Sequence, residues 1–328
     1  MDQESTRGSI IVMAYPANFA KLSNEGISKI TPFIGMGNKH GIKVGHAALC
    51  TINHETGSVN YYDFGRYVTP EGKGRVRNVF TDEELHVPID AIMENGEVAN
   101  LNEILIWLEA HPEKTHGEGT LVASVCSDIN LDAAEKFIID IHTKGSIPYG
   151  VFVKSGSNCA RFVFDTIMAS CEDKKMYRKL LREKIITPSP LGILGKASTS
   201  GSVYTVLSGV IKTRKPFQRL EILKYFFQKP DSSSAHHIPF TCDVPNAHYL
   251  SGVGSQAYFT LEALEAEGEY RITRFTENES GNCTGIFVPV EGGFHYTQNY
   301  EFIYDSNCHH CHIKQNDKIF RFNKKTSK

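Results

Sequence analysis

Ser155-Gly156-Ser157-Asn158-Cys159-Ala160-Arg161-Phe162-Val163-Phe164 decides how this chain is read. A strand-like run, Tyr149-Gly150-Val151-Phe152-Val153, leads into a small polar turn. A helical pattern follows from Ala160 to about Ser170. Phe162, Val163, the Thr166 methyl, Ile167 and Ser170 recur at three- and four-residue spacing, one face of a helix. Ser157 or Asn158 is a natural N-cap. Cys159 is therefore expected in the first turn, where unpaired N–H groups and the helix dipole favour a thiolate. A thiolate is the nucleophile of cysteine catalysis. The plainer alternative is a half-buried cysteine packing as a small hydrophobe.

A base must stand near such a sulfur, and a third group must hold the base. Upstream lies the clearest hairpin of the sequence. Val44 to Ile52 is one strand, Asn53-His54-Glu55-Thr56-Gly57 the turn, and Ser58 to Tyr67 the aromatic-rich return. Side chains alternate along strands, so loop length fixes which return residue shares a face with His46. A loop of two or four residues puts Asp63 opposite Cys50 or Ala48, on the His46 side. A three-residue loop or a bulge puts Tyr62 there instead. Alone, His46 equally describes a satisfied core or surface histidine, and Asp63 a turn cap before Gly65. Together with Cys159 they supply nucleophile, base and orienting acid. Asn158, or the backbone N–H of Cys159, is the oxyanion donor this arrangement offers. Tyr149, opening the strand before the cysteine, is the expected substrate contact. Arg75 and Arg77 point one way on a strand and describe either a solvated face or a grip on an anionic substrate group. Gly72-Lys73-Gly74 lacks the ending and the strand-to-helix setting of a phosphate loop.

The order Gly45-His46-Ala47-Ala48-Leu49, Tyr62-Asp63-Phe64-Gly65, then Asn158-Cys159-Ala160-Arg161-Phe162-Val163 resembles the permuted branch of papain-like NlpC-type cysteine hydrolases. That branch includes lecithin retinol acyltransferase-like enzymes, and in it the histidine strand precedes the cysteine helix. The resemblance covers roughly residues 8–195. It also extends to an uncharacterised bacterial family with a C-terminal β region carrying Leu250-Ser251-Gly252-Val253-Gly254. Many such enzymes have a second histidine as third residue; here the position falls on Asp63. The resemblance implies an α+β fold, a permuted papain-like core with an antiparallel sheet, followed by a smaller β-rich domain. It implies hydrolysis or transfer at an amide, peptide or acyl bond through an acyl-enzyme on Cys159. A non-catalytic interaction protein, with a papain-like scaffold and a β-rich binding domain, is the alternative.

The rest of the chain sets bounds. It has 328 residues, 41% hydrophobic and 22% charged, enough for two domains with real cores. A formal charge of −2 gives no bulk argument for nucleic acid or an anionic membrane. No apolar run has the length of a membrane span. Ile10-Ile11-Val12-Met13-Ala14-Tyr15 is too short for a signal core and reads as the first strand. These features point to a cytoplasmic chain. Helices are expected over residues 100–110, and from an Asn130 cap to His142. Thr187-Pro188-Ser189-Pro190-Leu191-Gly192 and residues 197–202 read as linker, and residues 203–228 as helical. The expected division is a hydrolase domain over 1–195, a helical linker over 196–234 and a β-rich domain over 235–328, open to a protein partner. Eight cysteines scattered through a long chain read mostly as free thiols. Cys308-His309-His310-Cys311-His312 is half of a zinc site, completed only if His312 and a distant His236, His237 or Cys283 converge. No metal and no cofactor are expected.

Overall fold

The structure is a computed structural model. It describes residues 5–20, 42–43, 45–117, 119–150, 153–183, 189–227, 241–277 and 282–325. The expected strand at residues 151–152, the possible ligands His236 and His237, and most of the segment between the first strand and the hairpin lie outside them.

The architecture is α+β. The first sheet has eight strands, all antiparallel to their neighbours, in spatial order Ile147–Pro148, Lys73–Arg77, Val59–Gly65, His46–Asn53, Arg7–Tyr15, Leu121–Asn130, Val203–Leu207 and Val210–Arg214. Its middle strand, Arg7–Tyr15, is buried along almost all its length. The cause is that both sheet faces are covered, which demands an unbroken apolar run rather than alternation. On one face Ile10, Val12, Leu49 and Phe64 pack against the helices Leu131–His142, Cys159–Ser170 and Pro190–Ala197. On the other, Ile11, Met13, Cys50 and Tyr61 pack against the helix Leu101–Ala110 and the loop residues Leu85, Val87 and Ala91.

Two helix starts behave as their sequences require. Asn130 accepts from Ala133 N at 2.9 Å, and Asn158 accepts from Arg161 N at 2.9 Å. Each satisfies a first-turn donor that has no partner within its own helix.

Two expectations about the middle of the chain are corrected. Residues 203–214 form a hairpin on the edge of the first sheet, not a helical linker. Ser208 and Gly209 both have positive φ, 51° and 72°. That is the primed turn a two-residue hairpin needs, flanked by Val203, Val206, Val210 and Ile211. A helix does follow, over Arg219–Phe227. Residues 189–192 are not linker either. Ser189 caps the Pro190–Ala197 helix by accepting from Gly192 N at 3.1 Å, and Pro190 takes the first turn, where a missing N–H costs nothing.

The second sheet has seven strands, ordered His248–Leu250, Ala257–Ala263, Tyr270–Thr276, Cys283–Pro289, Lys318–Lys324, His310–Gln315 and Glu301–Ile303. Its core is aromatic, built on Phe259, Phe287, Phe302, Phe320 and Phe322. His248, on one edge strand, stacks on Tyr300 at 5.2 Å and meets Phe302, on the other edge, at 5.5 Å. These contacts curl the sheet towards a barrel. Cys283 and Cys308 form a disulfide, so the sulfur of Cys308 is not available to a metal, and Cys311 is a buried thiol on the strand His310–Gln315.

The two sheets meet across buried charge. Asp82 accepts from Arg75 Nη1 and Nη2 at 2.7 and 2.8 Å and from Arg274 Nη1 at 2.9 Å. Arg274 Nη2 donates to Glu84 at 2.6 Å. Removing one member of a buried ionic cluster leaves its partners desolvated, a cost of about 3–5 kcal/mol. Asp82 would still hold Arg75, so Arg274→Met is expected to lose about 3 kcal/mol of stability in urea unfolding. A loss within the scatter of surface substitutions would show that the cluster is not a structural tie.

Candidate active site

Asp63 lies directly opposite Ala48, and Tyr62 opposite Leu49. Asn53 N donates to Ser58 O, which leaves residues 54–57 as the turn. The loop is therefore even-numbered, and Asp63 shares the sheet face of His46.

The Asp63 carboxylate is fully buried and almost enclosed by donors. Arg77 Nε reaches Oδ1 at 3.0 Å and Arg77 Nη2 reaches Oδ2 at 2.5 Å. The Tyr61 hydroxyl donates to Oδ2 at 3.1 Å. His46 Nε2 stands 3.4 Å from Oδ2. That separation is long for a hydrogen bond, and Nε2 makes no well-aligned one; the contact is chiefly ionic. Burial pushes the Asp63 pKa up, but the charge of Arg77, the contact with His46 and the bonds from Arg77 outweigh it and hold the carboxyl well below its usual range. Arg77 is fixed in turn. Its guanidinium lies over the Tyr67 ring, 3.7 Å from the centroid, and Nη2 also donates to Lys114 O at 3.3 Å. His116 stacks on the other contact of that ring, 4.8 Å between centroids. Burial, and then the charge of Arg77, keep His116 neutral.

Cys159 opens its helix as expected, in the first turn after the Asn158 cap. Its sulfur interacts with the His46 side chain, the Ala47 backbone N–H and the Tyr149 hydroxyl. Burial works to raise the thiol pKa; the bond to His46 and its charge, then the two further donors, bring it down on balance. For His46 burial lowers the pKa, while Asp63 and Cys159 raise it to about 9. Both shifts favour one state, a thiolate beside an imidazolium. Ile11, Cys50 and Tyr61 lie on the sheet face opposite the cysteine helix, and His46 stacks near Tyr15 on that side, 6.3 Å between centroids. His46 is the first residue of its strand, so imidazole and sulfur meet around the strand's end.

The remaining expected site residues fall differently. The Asn158 side chain caps the helix through Oδ1, and its Nδ2 is directed to Gly150 O at 3.4 Å. Arg75 and Arg77 are not a solvated face. Both are buried, and their charges are neutralised by Asp82 and Asp63. Tyr149 does reach the site, with its ring stacked on Phe64 at 5.8 Å and its hydroxyl on the sulfur. Sequence reading missed Tyr61 and Tyr67. Tyr61 was within reach of it, since residues 61 and 63 alternate onto one face. Tyr67 was not, because its place depends on Arg77 and His116 far along the chain.

A helix-start thiol, an imidazole and a buried carboxylate beside an antiparallel sheet form the constellation of thiol-dependent acyl chemistry. The chain belongs to the Type VI secretion system effector TseH-like family, whose match covers residues 10–176, just over half its length. Residues 247–325 match a second family, the DUF6695 C-terminal domain. Among solved structures, the crystal structure of the Type VI secretion system effector TseH aligns with 65% of this chain and 100% of its own, at 17% identity and a TM-score of 0.45. No curated protein matches.

The electrostatics give a signed pH dependence. The His46 pKa is raised from 6.5 to about 9, so its ionic stabilisation is complete below about 6.5 and is lost as pH rises through about 9. Asp63 is shifted downwards from 3.8, so its contribution is complete above about 4 and lost as pH falls further. The thermal midpoint of the native chain should therefore exceed that of His46→Gln most between about pH 4 and 6.5, with the gap closing by about pH 9. A gap constant from pH 6 to 10 would show that no imidazolium is held there.

Proposed function

We propose that this chain is a cysteine hydrolase that acts on an amide, peptide or acyl bond through an acyl-enzyme on Cys159. The observation that carries the reading is the convergence on His46 of the helix-start thiol of Cys159 and the buried Asp63 carboxylate, which biases the pair towards its ionised form. In this reading the thiolate attacks the acyl carbon. The backbone N–H of Cys159, which has no partner within its helix and meets the Tyr149 hydroxyl in the free site, donates to the oxyanion once the substrate takes that place. His46 gives its proton to the leaving group and then takes one from water, which releases the acid. A second nucleophile in place of water would make the same site an acyltransferase.

The chain order, histidine strand before cysteine helix, supports the permuted NlpC-type branch within the papain-like class. The substrate stays at the level of bond class, since one fold of this kind serves many acyl donors. The family description, a secretion-system effector, supports a place of action outside the producing cell, and the Cys283–Cys308 disulfide suits an oxidising compartment better than the cytoplasm. No described helix is long and apolar enough to cross a membrane.

A generic activated ester tests the chemistry without knowledge of the substrate. p-Nitrophenyl acetate should give a burst of nitrophenol of one equivalent and an acetyl group located by mass spectrometry on Cys159. Cys159→Ala should give no burst. Acetylation spread over several thiols, or a burst that survives Cys159→Ala, would sink the hydrolase reading and favour the interaction protein.

A further inference from the structure

The β-rich domain touches the catalytic half at a telling place. Its segment Gly252–Gln256 lies along residues 66–68. Ser255 bridges Tyr67 as a parallel pair. Val68 N donates to Ser255 O at 3.1 Å, and Gly254 N donates to Arg66 O at 2.9 Å. The fit leaves no room for side chains. A Cβ on Gly252 would stand 2.5 Å from Val68 N, and one on Gly254 would stand 2.9 Å from the Tyr67 ring. Val68 is held at a φ of 48°, a left-handed conformation that a β-branched residue adopts only under constraint. A Cβ on Gly65 would fall 2.1 Å from a Tyr67 ring carbon, so the ring lies over the glycine that ends the Asp63 strand.

Tyr67 is thus clamped between the second domain and the acid arm of the site. Its ring carries Arg77 on one contact and His116 on another, and stands edge-on to His46 at 6.4 Å. A cavity of about 20 Å³, room for about one water, lies at this seam and is lined by Arg77, Asp82, His116, Ser255 and Arg274 among others. Arg77 has no freedom to find Asp63 from another direction, because the guanidinium's broad face rests on the ring and its edge makes the two-point bond.

We infer that Tyr67 is a positioning residue for the cysteine–histidine pair, and that the Gly252–Ser255 segment of the β-rich domain holds it in place, so that this domain completes the active site. The inference rests on the cysteine-hydrolase reading. It assigns the second domain a role inside the chain, where partner binding would place it outside. Tyr67 acts chiefly through Arg77 and Asp63, for which it supplies a flat aromatic face.

The test is the pH profile of Cys159 alkylation by iodoacetamide in the full-length chain, read by peptide mass spectrometry. The native chain should alkylate rapidly and almost evenly from pH 6 to 8. Tyr67→Leu should convert this to the profile of an ordinary thiol, rising only above pH 8, with the pH 7 rate reduced about tenfold or more. Tyr67→Phe, which keeps the ring, should retain the native profile. Gly254→Val presses on the ring from the second domain and should reproduce the Tyr67→Leu profile with Tyr67 itself intact. Circular dichroism and the thermal midpoint show which variants are folded at the assay temperature. A Tyr67→Leu or Gly254→Val chain that is folded and keeps the native profile overturns this inference and leaves the hydrolase reading standing. An ordinary thiol profile in the native chain overturns both.

Discussion

The buried pair of Asp63 and Arg77 is the constraint on which the rest of this structure depends. A carboxylate with no exposed surface cannot stay ionised unless opposite charge and hydrogen bonds replace its water. Arg77 supplies a two-point bond and Tyr61 a third donor. His46 meets the same oxygen, Oδ2, as Arg77 Nη2 and the Tyr61 hydroxyl. The pair costs desolvation and adds little net stability. It leaves one acceptor of fixed position and fixed charge beside an imidazole. Burial, and then the charge of Arg77, keep neighbouring His116 neutral, so one imidazole near Asp63 is charged and the other is not.

The same constraint explains what could be read in the sequence. The acid's identity was legible only up to the loop length: strand parity left Asp63 or Tyr62, and the Asn53–Ser58 bond makes the loop even. The helix start at Cys159 was legible, since a cap needs only its own next three residues. Arg75 and Arg77 were misread because nothing local distinguishes a solvated basic strand face from a buried one. The partners that bury them are Asp63, reached through the next strand, and Asp82, which also holds Arg274 from the other domain. Asn158 shows a different point: its Oδ1 caps the Cys159 helix, a local role legible from the next three residues.

The misread middle of the chain has its own cause. Residues 203–228 carry apolar residues at spacings that suit a helix over short windows, and periodicity cannot separate a short apolar strand from a helix. The deciding signal was Ser208-Gly209 between β-branched residues, a turn signature rather than a periodic one. Serine and proline at 189–190 were similarly ambiguous. They mark linkers by composition, yet in this order they also form a cap and a first helical turn. The strand over His310–Gln315 was hidden behind its cysteines and histidines, whose metal-like spacing drew the reading towards a ligand set. In the fold Cys308 pairs with Cys283, and Cys311 faces the aromatic core.

The sulfur and the imidazole come from elements on opposite faces of one sheet, and that fixes where a site can exist. They can meet only where the sheet ends, so His46 must be the first residue of its strand. Gly45 makes the entry possible: its φ is 70°, and a Cβ there would press on Tyr15 O at 3.2 Å. One residue further in, at Ala47, a side chain points to the other face, among the residues packed on the cysteine helix and away from Asp63. One residue further out, it would lose the pairing of His46 with Tyr15 that sets its height above Asp63. The end of a strand is also where Tyr67 and the second domain can reach the acid arm without crossing the core. Placement at the sheet's end thus lets the helix, the strand and the second domain converge on one carboxylate.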